Sequence, residues 1–287
     1  MSAIRTCGPE CREGNGRHPR TRVTVGVAFA ALIAGLSTGP AAAHDFWLGA
    51  EPTESGRQAI RLWVGHQLDV QEELGFEPDR IVSAVLVRDG RAVDVRALGR
   101  EGETPLFTVP GTSGEVLFAL ERRRVAAHTM ERSKFDGYLR DEGLGDARAL
   151  LARAPAREGE VERYSRYLKL WQGDAAAASS VGEQLGLRFE IVLPAGLASA
   201  GATTRVCLRF DSAPLPGRTI TAFSGDSANG GRRHRRSRIS ADDGCADLAL
   251  PSADFHLLRS VHLRPCDAED CGPAQWESFW AAYSIQP

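Results

Sequence analysis

The sequence predicts a mainly β protein: two immunoglobulin-like β-sandwich modules joined by a short helical connector. Three observations carry this. Short apolar runs with partial alternation lie between Gly, Pro and Asp turn signals up to about residue 130. Helical spacing replaces them across residues 131–180, and alternating runs then return to the end of the chain. With 287 residues, 43% of them apolar and 25% charged, the chain has ordinary globular composition and length enough for one or two domains.

Taken in order, Arg12, Arg17, Arg20 and Arg22 precede an uncharged apolar run, VGVAFAALIAGL at Val25 to Leu36, and a stretch ending Ala41-Ala42-Ala43. Basic, apolar and A-x-A segments in that order predict a secretory signal peptide over residues 1–43, cleaved so that His44 begins the exported chain. Residues 44–287 then hold 30 Lys and Arg against 35 Asp and Glu, a formal charge of -5. Neither that balance nor the -2 of the whole chain calls for a nucleic-acid partner. No second long apolar run follows, so no stable membrane span is expected after cleavage, and the location predicted is the periplasm or outside the cell.

The first sandwich is expected over residues 44–130, from IRLWVG at Ile60, IVSAVLVRDG at Ile81 and EVLFALE at Glu115. The connector and linker are expected over residues 131–180. There Ser133 to Asp136 offers a helix start, Phe135, Tyr138 and Leu139 share a face, and Gly143 stops the helix. Val161, Tyr164, Leu168 and Trp171 recur at three- and four-residue steps and predict a second helix over Glu160 to Trp171, closed by the linker AAAASS. The second sandwich, residues 181–287, rests on LRFEIVLP, TTRVCLRF, RTITAF, CADLALP, HLLRSVHL and FWAAYSI. Four cysteines remain in that part. In an oxidising compartment, sequence order suggests Cys207 with Cys245 and Cys266 with Cys271, among the three pairings that four cysteines allow.

No nucleophile elbow, phosphate loop or dinucleotide fingerprint occurs, so no enzyme activity is expected. Histidine is the informative residue. An amino-terminal His44 offers its α-amine and its imidazole, a chelating pair that suits Ni(II) or Cu(II). His262, on the strand ending RSVHL, is the first candidate for a third nitrogen, and His66, at the end of WVGH, is the second. The bland reading is that His44 to Trp47 docks a first strand through Phe46 and Trp47. GRRHRRSR at Gly231 reads as a solvated basic hairpin loop, and Asp69, Glu72 and Glu73 as a solvated acidic loop.

An AHDFWL start, a mid-chain KFDGYLRDEGL followed by ERYSRYLKLW, and a closing SVHL with WESFWAAYSI together resemble the domain-of-unknown-function family 4198, labelled NikM-like and associated with nickel transport. The resemblance runs from His44 to Pro287 and implies a periplasmic β-sandwich protein tied to transition-metal uptake. It maps the family's leading histidine onto His44, its late VH motif onto Val261-His262, and its charged helix residues onto Glu162, Arg166 and Lys169. The function expected is capture of Ni(II), Co(II) or Cu(II) by His44, His262 and His66, without catalysis, and delivery to an inner-membrane metal transporter. Two alternatives stand beside it: a metal-free envelope module for protein, peptide or glycan, and a copper oxidative enzyme built on a histidine brace.

Overall fold

The computed structural model describes residues 44–88, 90–111, 114–123, 127–174, 179–199, 202–232, 234–267 and 269–287. The predicted leader, residues 1–43, and the alanines of the linker lie outside the described residues. The strands in chain order are β1 (Asp45–Pro52), β2 (Gln58–His66), β3 (Asp69–Leu74), β4 (Ile81–Arg88), β5 (Arg91–Asp94), β6 (Phe107–Val109), β7 (Val116–Arg123) and β8 (His128–Glu131). Two helices follow, α1 (Arg132–Asp141) and α2 (Gly145–Arg153). After them come β9 (Gly159–Gln172), β10 (Phe189–Val192), β11 (Thr203–Phe210), β12 (Ala213–Pro214), β13 (Thr219–Gly225), β14 (His234–Ile239), β15 (Cys245–Ala249), β16 (Phe255–Pro265) and β17 (Trp276–Gln286).

Nine strands form one sheet in the order β14-β13-β16-β17-β9-β7-β4-β5, with β8 also paired to β9. Two four-stranded sheets pack on it. The first holds β1, β2, β3 and β6, and the second β10, β11, β12 and β15. Alternation assigns the two faces of the large sheet. Leu86, Phe118, Leu120, Leu168, Leu170 and Leu257 bury against Leu48, Ile60 and Leu62 of the first small sheet. Leu117, Trp171, Leu258, Phe279, Tyr283 and Ile285 bury against Phe189, Ile191, Val206 and Leu208 of the second. We call these the front and back faces. The two helices also cover the front, where Phe135, Tyr138, Leu139 and Leu151 meet Val261, Leu263, Trp276 and Trp280.

The protein is therefore mainly β with sandwich packing, as the sequence predicts, and carries two short helices, of which α1 lies at a predicted position and α2 does not. Strands from both predicted modules share the nine-stranded sheet, because β17 runs parallel to β9 (Trp280 opposite Arg166) and β9 runs antiparallel to β7. The predicted helix over Glu160 to Trp171 is instead β9, the long central strand. A strand covered on both faces carries apolar residues at successive positions, so helical spacing arises in it by coincidence. α1 follows its predicted face, with Phe135, Tyr138 and Leu139 buried and Gly143 in the left-handed region at φ 71°. Its expected capping bond is not made, and the Ser133 hydroxyl instead donates to the Glu131 carboxylate at 2.5 Å.

Both disulfides join the cysteines that sequence order suggests, Cys207 with Cys245 and Cys266 with Cys271. The supposed acidic loop is strand β3, in which Glu73 pairs with Arg61 at 2.8 Å. The supposed basic loop is largely β14, the exposed edge strand, whose Arg235, Arg236 and Arg238 blunt that edge against further pairing.

Candidate functional site

β1 enters the first small sheet immediately after His44, and Asp45 fixes the entry. Although 3% exposed, the Asp45 carboxylate forms an ion pair with Arg259 at 2.9 Å and accepts the Gln67 backbone N–H at 3.0 Å. A buried carboxylate needs such partners to offset its lost hydration. Gln67 and Leu68 form a two-residue turn between β2 and β3 with φ of 54° and 72°, a left-handed conformation that non-glycine residues adopt at a cost. The bond from Gln67 to Asp45 helps to hold that turn.

Asp45 lies opposite Gly65 in the antiparallel register. His44 immediately precedes β1 and His66 immediately follows Gly65 as the last residue of β2, so both lie at the same end of the β1–β2 pair; both are exposed. The Gln67 side-chain amide donates to His66 Nε2 at 2.6 Å, and Asp69 lies across from His66 on β3. His44 and His66 thus come to one corner.

His262 does not join them. It lies three residues from Arg259 on β16, so its side chain leaves the opposite, back face of the large sheet. There it packs 4.7 Å from the ring of Phe210 and 5.9 Å from that of Phe279. Arg218 Nε donates to its Nδ1 at 3.2 Å. Burial, with the Arg218, Arg264 and Arg188 guanidiniums, pushes its pKa down to about 4, so it is neutral at pH 7. The predicted meeting of His262 with His44 fails because strand alternation sends the two to different faces. Among the described residues, no three His, Cys, Asp or Glu side chains are grouped to hold a metal ion. Side chains alone therefore bring two imidazoles, those of His44 and His66, to this end of the β1–β2 pair.

The residues mapped as charged helix positions lie on β9 and divide between its faces. Lys169 points back and is 1% exposed, donating to Glu190 at 2.9 Å and to the Glu183 carbonyl at 2.7 Å. Glu190 also accepts the backbone N–H groups of Leu185, Gly186 and Leu187. This pair pins the second small sheet to the large one. Glu162 and Arg166 point to the front. Glu162 accepts from the Tyr138 hydroxyl at 3.4 Å, and Arg166 is covered by the ring of Phe46 at 3.7 Å and that of Trp280 at 4.7 Å. Arg259 closes this cluster by binding Glu142 at 2.6 Å as well as Asp45.

Sequence reasoning named Arg166 and Glu162 through the resemblance alone. It missed Asp45, Arg259 and Glu142, which come from three separate parts of the chain. The available signal was Asp45 itself, a charged residue beside the apolar Phe46-Trp47-Leu48 run at the start of a strand. On the back face, a polar cleft of about 610 Å³ is lined by Glu121, Arg123, Arg163, Tyr167, Arg188 and Glu277, among others. Burial pushes the Tyr167 hydroxyl up to about 12 and raises the Glu121 carboxyl.

No curated protein matches the chain. Residues 41–264 match the family model described as a domain of unknown function, DUF4198, a span that stops before β17, and the chain belongs to that family.

Proposed function

We propose that this is an exported transition-metal-binding protein that takes Ni(II), Co(II) or Cu(II) as cargo at the His44 corner and passes it to an inner-membrane transporter. The observation that carries the reading is the β1–β2 register, in which Asp45 lies opposite Gly65, so that the neighbouring His44 and His66 come to the same end of the strand pair. Once residues 1–43 are removed, His44 supplies its α-amine and imidazole and His66 supplies a second imidazole. Three nitrogens of that kind suit Cu(II) and Ni(II). The clamp on Asp45 by Arg259 and Gln67 supports the reading, because it holds the residue next to the chelating amine in one place. His262 is outside the ligand set.

The test is a Ni(II) and Cu(II) titration of protein beginning at a free His44, compared with the same protein carrying one extra residue before it. The free form binds at least tenfold more tightly, His66→Ala weakens it, and His262→Gln leaves it unchanged. Equal binding by the free and extended forms refutes the reading.

A second reading, a metal-free envelope module for peptide or glycan, is favoured by the back-face cleft, where Tyr167 and several Arg and Glu side chains offer stacking and hydrogen bonds together. Retention of envelope glycan in the presence of a chelator, lost on Arg188→Ala, is the result that would support it.

A further inference from the structure

Arg122 on β7 and Arg166 on β9 are direct cross-strand partners on the front face, 3% and 6% exposed. Arg122 is paired with Glu77. Arg166 makes no such bond: its buried Nε has no hydrogen-bond partner, and the Asp45 carboxylate acts on it through its charge. The acids around it are engaged elsewhere. Asp45 is bound by Arg259 and the Gln67 N–H, and Glu162 is reached by the Tyr138 hydroxyl.

Three rings surround the guanidinium instead, Phe46 at 3.7 Å, Trp280 at 4.7 Å and Tyr164 at 5.1 Å. Aromatic rings attract a guanidinium through its flat face, whereas its N–H donors lie in the plane and point outward. Stacking therefore does not satisfy the in-plane donors, of which Nε is buried without a partner. A buried cation that must share its nearby carboxylate, Asp45, with Arg259 is incompletely compensated, and a second guanidinium on the facing strand adds repulsion. Both costs fall when an anion enters.

We propose that Arg166, backed by Arg122, is the donor fork of a binding site for a small oxyanion, a carboxylate or a phosphate, held edge-on between Phe46 and Trp280. An oxyanion with two oxygens on one atom matches the fork with two parallel hydrogen bonds, which an ammonium cannot offer. The restricted exposure of Arg166 limits the ligand to a small ion or the end of a larger one. The site stands independently of the metal reading, although Asp45 and Phe46 place it next to the His44 end.

The experiment measures thermal unfolding and calorimetric binding for the chain beginning at His44 in sodium succinate, sodium phosphate and sodium chloride at matched ionic strength and pH 7. At least one oxyanion raises the midpoint saturably above chloride, and comparison of the succinate and phosphate arms identifies which chemistry is preferred. Arg166→Met loses that response. In chloride it unfolds at or above the wild-type temperature, because it removes an incompletely compensated buried charge and keeps the apolar stem. Arg166→Lys keeps the charge without the fork and binds at least tenfold more weakly. The proposal is overturned if the wild type responds to neither oxyanion, or if Arg166→Met responds as the wild type does. It is also overturned if Arg166→Met unfolds well below the wild type in chloride, which marks the arginine as a stacking element of the core. Should the Met variant fail to fold, Arg166→Lys decides, and unchanged oxyanion affinity in it overturns the proposal.

Discussion

Lys169 and Glu190 carry opposite charges in the least accessible part of the back-face core, and breaking their pairing tests whether it pins the second small sheet. Lys169→Met preserves the length of the stem and strands the Glu190 carboxylate. Removing one member of a buried ion pair costs about 3–5 kcal/mol. Glu190 retains three backbone N–H donors, from Leu185, Gly186 and Leu187, so Lys169→Met belongs at the lower end, about 3 kcal/mol. Glu190→Gln is worse. Each carboxylate oxygen accepts at least one backbone N–H, and a glutamine turns one of those acceptors into an NH₂ group facing N–H donors. We expect about 4–5 kcal/mol for that change. Urea unfolding monitored by tryptophan fluorescence measures both, with the denaturant slope unchanged. In a chain of this size 3 kcal/mol corresponds to a fall in Tm of roughly 6–12 °C. A loss under about 1 kcal/mol for Lys169→Met, or a smaller loss for Glu190→Gln than for Lys169→Met, refutes the reasoning.

The remaining predictions concern protonation, disulfides and packing. His256 is 3% exposed with Nδ1 against the Ser224 hydroxyl at 2.8 Å, and burial pushes its pKa down from 6.5 to about 4. Because the unfolded chain takes up that proton first, its contribution is complete above pH 6.5 and is lost as pH falls towards 4. Between pH 6.5 and 5 the loss is about 1.5 kcal/mol, and a stability profile of His256→Gln should be flatter by that amount. Replacing Cys207 and Cys245 by Ala opens a loop spanning 38 residues and should cost about 4 kcal/mol, whereas the Cys266–Cys271 pair, spanning 5, should cost about 2; equal losses in denaturant would contradict the loop-entropy account. A Cβ on Gly49 would lie 2.1 Å from the Trp63 ring, so Gly49→Ala should destabilise the first small sheet by about 1–3 kcal/mol, read as a shift in the urea midpoint.

Much of the fold was legible in the sequence. The runs at Ile60, Ile81, Glu115, Thr203 and His256 are strands because alternation and turn residues are local properties that a half-buried strand must show. α1 was legible for the same reason, through Phe135, Tyr138 and Leu139 on one face and Gly143 at its end. The disulfide order followed from nearness along the chain. β9 was not legible, because its residues are buried on both faces and the strand beside it, β17, lies more than a hundred residues away. Local spacing cannot report a partner at that distance.

The candidate site divides in the same way. By itself the sequence determined that His66 ends a strand and raised the expectation of an export-type leader before His44, on residues outside those described; both are read from short stretches of chain. Only the tertiary structure decided that β1 and β2 align so that His44 and His66 lie at the same end of the pair, that alternation along β16 turns His262 to the other face, and that Arg259, itself bound to Glu142, closes on Asp45. It also decided that Arg166 is stacked between rings with its buried Nε unpaired. Register and the face of a sheet are set by which strands pack together, and these strands come from both ends of the chain.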